Sequence, residues 1–84
     1  MPYLYKYIDS ATTTTITASQ GILHSIVVNT AAAGTITVSD EVGTIALLKA
    51  SVVEGTYLYD VAFNGYLKIV TGNADQDVTV TYSV

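Results

Sequence analysis

The chain has one imidazole, His24, and no cysteine, so acid–base or nucleophilic chemistry would have to be assembled around that ring. Its neighbour is Ser25. Adjacent residues of a strand point to opposite faces, so these two make a nucleophile–base pair only if a bulge intervenes. The surrounding segment is the most apolar of the chain, which makes His24 a core or interface histidine with one hydrogen-bonded nitrogen. Asp75 and Asp77, in Asn73-Ala74-Asp75-Gln76-Asp77, space oxygen ligands closely, as a calcium loop does. The central glycine and the distal bidentate glutamate of such loops are missing, so a solvated turn is expected. Asp40-Glu41 reads as another turn, and Asp60 as a solvent-facing or cross-strand partner. This inventory predicts no catalytic residue, no metal site and no cofactor.

The tyrosines are a more promising group: there are seven, with no tryptophan. Tyrosine joins a large apolar area to a hydroxyl and is enriched at protein interfaces. In an extended chain Tyr3, Tyr5 and Tyr7 share one face. A stack of this kind suits a core, a subunit interface or a carbohydrate platform. Core or subunit interface is the expectation, because sugar sites add converging amides and carboxylates and few stand near these tyrosines in the sequence.

The elements that must position these residues are strands. Val78, Val80, Tyr82 and Val84 interleave with Thr79, Thr81 and Ser83, giving one apolar and one hydroxylated face. The same alternation marks about eight segments, at residues 3–8, 12–17, 22–29, 35–39, 44–50, 56–63, 66–71 and 77–83, separated by short Gly, Asn, Ala and Asp clusters such as Ala31-Ala32-Ala33-Gly34. Residues 12–17, with four consecutive threonines, are polar on both sides and read as an edge or partner-facing strand. Residues 22–29 should be central, and Ile36 and Val38 should face inward. Tyr57, Tyr59, Val61 and Phe63 fall on one side of the sixth strand. Asn64-Gly65 predicts a type I′ hairpin pairing the sixth and seventh strands. Only residues 45–50 contain enough helix formers to compete as a helical turn. The predicted fold is an all-β antiparallel sandwich of about eight short strands, jelly roll or another Greek key, with a small barrel as the alternative. Residues 1–84 form a single domain, and residues 1–10 are an N-terminal arm or edge strand.

A domain this small hides only about 60% of the surface its unfolded chain exposes. Without disulfides, oligomerisation is the support left open. Charged residues make up 12% of the chain, its net charge is −4, and there are three basic residues in all; its pI is about 4.3. Scattered lysines and no arginine disfavour nucleic acid, which requires clustered cations. Half of the residues are hydrophobic and the mean hydropathy is +0.45, so part of the apolar surface is expected to face another chain. No run approaches the roughly 18 apolar residues of a membrane helix, and the start lacks the basic, then apolar, pattern of a secretory leader. A soluble product of a cytoplasm, complete as it stands and without membrane or nucleic-acid partners, is the expectation.

Four segments carry a resemblance: residues 21–29 (Gly-Ile-Leu-His-Ser-Ile-Val-Val-Asn), 34–40 (Gly-Thr-Ile-Thr-Val-Ser-Asp), 59–67 (Tyr-Asp-Val-Ala-Phe-Asn-Gly-Tyr-Leu) and 77–82 (Asp-Val-Thr-Val-Thr-Tyr). From about Ala11 onward the chain resembles the small β-sandwich structural proteins of tailed bacteriophages, including capsid decoration or cement proteins. The resemblance implies a non-enzymatic virion component, made in the host cytoplasm and carried on the capsid surface. It also implies binding to the major capsid protein and to the chain's own copies. Neither it nor the composition sets the symmetry, for which a trimer is the expectation. The interface candidates are Tyr3, Tyr5, Tyr7, Thr12, Thr13, Thr14 and Thr15. The alternative is a receptor-binding, lectin-like module of a tail or head fibre.

Overall fold

A computed structural model describes residues 3–30, 33–73 and 76–84; the predicted turn residues Ala31, Ala32, Ala74 and Asp75 lie outside these. Among the described residues eight strands follow one another: β1 (Leu4–Ile8), β2 (Thr12–Thr17), β3 (Gly21–Thr30), β4 (Ile36–Ser39), β5 (Thr44–Leu48), β6 (Gly55–Phe63), β7 (Leu67–Thr71) and β8 (Asp77–Ser83). They form two four-stranded antiparallel sheets, β1-β8-β3-β6 (sheet A) and β2-β7-β4-β5 (sheet B). Apart from β4 to β5, every step along the chain crosses from one sheet to the other. This is the double Greek-key winding of a jelly roll, and its two open sheets exclude the barrel alternative. Residues 44–48 are strand rather than helix.

The period-two pattern supplies the core directly. Across sheet A, Ile8 pairs with Val78 and Val78 with Val28, while Val80 pairs with Ile26. Across sheet B, Ile69 pairs with Val38 and Val38 with Ala46. All of these are buried, as are Leu23, Phe63 and Leu67. Each large side chain hidden this way contributes about 1.5–3 kcal/mol. Tyr57 and Tyr59 pack on the same cluster from β6, as their shared parity with Phe63 requires. β3 is central, between β8 and β6, and β2 is an edge, both as the sequence indicates. β1 and β6 are the two edges of sheet A.

The Asn64-Gly65 turn departs from expectation. β6 pairs with β3, whereas β7 pairs with β2 and β4, so no β6–β7 hairpin forms. A type I′ turn requires positive φ at both central residues, and here only Gly65 has it, at 78°. Tyr66 N–H donates to Asn64 O at 2.9 Å, closing a tight three-residue γ-turn that carries the chain between sheets. The deciding partner is remote. Asp40, buried in the β4–β5 turn, accepts from Asn64 N–H at 3.0 Å and from Val42 and Gly43 N–H at 2.9 and 3.1 Å. Glu41 N–H donates to Asn64 O at 3.1 Å. The bond from Asn64, with those from the turn amides, holds the Asp40 carboxyl below its ordinary range. At Gly65 an added Cβ would come within 2.6 Å of the Glu41 side chain, so the crossing and the β4–β5 turn are fitted to each other.

Two buried polar side chains pin other crossings. Thr71 accepts from Thr12 N–H at 3.1 Å and donates to Ser10 O at 2.5 Å, tying the β1–β2 link to β7. Gln76 accepts from Asn73 N–H at 3.1 Å and donates to Gly34 O at 2.6 Å. Among the described residues no buried side-chain nitrogen or oxygen lacks a partner.

Candidate functional site

With the inward positions spent on the core, function falls to the two outward faces. On sheet A the register aligns Tyr5, Thr81, Ser25 and Leu58 in one row and Tyr7, Thr79, Val27 and Thr56 in the next. Irregularities between Leu23 and Ser25 interrupt the pairing of β3 with both neighbours. On the facing strand, Asp60 adopts φ 49°, a left-handed conformation that Asp tolerates better than most residues. Together these turn His24 to the outer face, with 28% of its side chain exposed. It is therefore not a core histidine, because the bulge removes it from the inward row that Leu23 and Ile26 fill.

His24 Nδ1 donates to Asp60 Oδ1 at 2.6 Å, and the Tyr3 ring stacks on the imidazole at 3.9 Å with planes 11° apart. Asp60 is thus the cross-strand partner the sequence suggested. The bulge that a serine–histidine pair would require is present, yet Ser25 Oγ shares a 2.5 Å hydrogen bond with Thr81 Oγ1. The dyad has an orienting carboxylate and a stacked ring, and the neighbouring hydroxyl is engaged elsewhere.

At the opposite end of the same face, Tyr7 donates to Asp77 Oδ2 at 2.8 Å. Asn29 Nδ2 donates to Asp77 Oδ1 at 3.1 Å and to Thr79 Oγ1 at 3.2 Å. The bond to Asp77 raises the Tyr7 hydroxyl above its ordinary pKa, with some desolvation and the charges of Asp77 and Asp9 acting in the same direction. The three tyrosines do share a face, but they have different surroundings. Tyr3 leans toward His24, Tyr7 leans toward Asp77, and Tyr5 stands between them 70% exposed. Folding thus gathers beside the tyrosines an amide and two carboxylates that are remote from them in sequence.

Sheet B turns out Thr13, Val70, Thr37 and Leu47 in one row and Thr15, Lys68, Ser39 and Thr44 in the next. Thr12 and Thr14 pair with Thr71 and Ile69 on the inward side. Lys68 carries the one charge in those rows, and its Nζ lies 5.2 Å from the centre of the Tyr66 ring. The tyrosine and threonine candidates therefore lie on opposite sheets, and no flat partner covers both.

A shallow depression of about 530 Å³ opens at the end of sheet A, lined by Gln20, Gly21, Ile22, Ala62, Phe63, Asn64, Ser83 and Val84. None of these side chains titrates in the usual range. Among the described residues no group of three or more His, Asp and Glu is placed to hold a metal ion. No protein-family model, no curated protein and no solved structure matches the chain. The His24–Asp60 pairing spans 36 residues and has no local sequence signal. The only hint was an unusual one, a lone histidine within an apolar strand.

Proposed function

We propose that the protein is a non-enzymatic structural component of a phage virion, a decoration or cement protein that binds the assembled major-capsid lattice. The virion assignment draws on the resemblance of the four segments. The observation that carries the docking reading is the outward face of sheet B. Thr13, Thr15, Val70, Thr37, Ser39, Thr44 and Leu47 are short or aliphatic and lose little rotamer freedom on contact. Lys68 is the one charge there to desolvate, and charge-poor centres are typical of protein interfaces.

The mechanism is mass action. A protein that binds the assembled lattice and not free subunits stabilises the assembly by its binding free energy, and many copies on one shell add their contributions. Self-association on the shell, as a trimer, gives each unit several contacts at once and so raises its avidity.

Co-sedimentation with purified capsids of the encoding virus tests this. Leu47→Glu and Thr13→Glu each place a carboxylate in the contact, and the double variant should lose binding by at least about a hundredfold while its melting temperature stays near that of the parent. Full binding by the folded double variant would exclude this face.

A further inference from the structure

We infer that the outward face of sheet A is a binding platform for a neutral oligosaccharide, with Tyr5 as the stacking ring and Asp77, Asn29 and Asp60 as the hydroxyl partners. A sugar ring presents apolar C–H faces and a rim of hydroxyls, so its complement is an exposed aromatic flanked by oriented acceptors and donors. Tyr5 is 70% exposed and sits midway between two polar ends. The span from Tyr3 to Tyr7 is four residues of antiparallel strand, about 13 Å, long enough for a short oligosaccharide to touch both ends.

The polar groups are pre-organised, which lowers the cost of binding. Tyr7 and Asn29 hold Asp77 by one oxygen each, at 2.8 and 3.1 Å. A carboxylate has about four acceptor sites, so about two remain for ligand hydroxyls. Among the described residues the nitrogen of the Asn29 amide goes to Asp77 and Thr79, and its carbonyl oxygen has no partner. At the other end His24 holds Asp60 by Oδ1 alone. All of these side chains project from strands or their ends rather than from long loops, a setting that fixes geometry.

Charge selects the ligand class. The face carries Asp60 and Asp77, while the lysines lie elsewhere: Lys6 pairs with Val80 on the core side of β1, Lys68 is on sheet B, and Lys49 follows β5. Acidic sugars are repelled. A protein partner would have to bury two carboxylates against itself, at considerable desolvation cost, whereas sugar hydroxyls satisfy them. This inference uses a different face from the lattice contact and does not depend on it.

The test is a glycan array probed with the full chain, followed by calorimetric titration of the best hit. Neutral glycans should be retained and sialylated or uronic ones should not. Tyr5→Ala should weaken binding at least about tenfold with an unchanged melting temperature, and Asp77→Asn should also weaken it. Leu47→Glu should bind sugar as the parent does. The inference is overturned if no neutral glycan binds the folded protein, if acidic glycans are preferred, or if Tyr5→Ala binds at full strength.

Discussion

Sheets A and B share one core but turn different chemistry outward. Sheet A presents an exposed ring, an imidazole and two carboxylates, all but the ring fixed by hydrogen bonds or stacking; sheet B presents threonine, serine, valine and leucine with one lysine. The alternation that fills the core leaves every second position free, and the two sheets use those positions differently. One outward surface mixes tyrosines and the exposed Leu58 with charged groups held by hydrogen bonds. The other is nearly uncharged and made of side chains too short to need holding. A thin sandwich, 16 Å along its shortest axis, can thereby offer two unlike surfaces to two unlike partners.

The contrast depends on the sheets staying registered on each other, and the most damaging change is one that removes what they share. Phe63 lies 1% exposed in the common core, and Phe63→Ala should cost about 3–5 kcal/mol, read from urea unfolding. In so small a domain that should abolish binding at both faces together. Loss at one face only would mean that the sheets hold their surfaces independently. Gly65→Ala acts at the crossing alone. Its φ of 78° and the approach of Glu41 should make it destabilising by about 1–3 kcal/mol. Hydrogen exchange should quicken first in the β4–β5 turn and at the end of β6, leaving the row of Tyr5 protected.

A gentler change comes from pH. Asp40 has a folded-state pKa below its unfolded value. Its stabilisation is therefore complete above the unfolded value, near pH 3.9, and is lost as pH falls through the lower folded one. Tyr7 is shifted the other way, so its contribution is complete below about pH 10 and fades as pH rises through its raised folded value. Thermal melts across pH should show Asp40→Asn flattening part of the acid limb and Tyr7→Phe part of the alkaline limb. Because Asp40 ties β4–β5 to the crossing and Tyr7 belongs to sheet A, acid should loosen the link between sheets and alkali one face.

The strands were legible because each is written in its own residues: the hydroxylated β2 announces an edge, and the apolar β3 a centre. Strand order was not legible, since the pairing of β1 with β8 joins residues 70 to 78 positions apart. Asn64-Gly65 shows how local chemistry misleads. Its tolerance of positive φ is real at Gly65, but a carboxylate 24 residues earlier captures the turn and sends β7 to the other sheet. The tyrosine parity was equally readable, whereas the different surroundings of Tyr3, Tyr5 and Tyr7 depend on His24, Asp60 and Asp77, which only the assembled sheet brings near.

The left-handed backbone at Asp60 interrupts β6 near its middle, where β6 forms the outer border of sheet A. A border with such a kink is a poor template for a foreign strand. Even when crowded together, copies of this chain should resist zipping into filaments along that border and remain separate units.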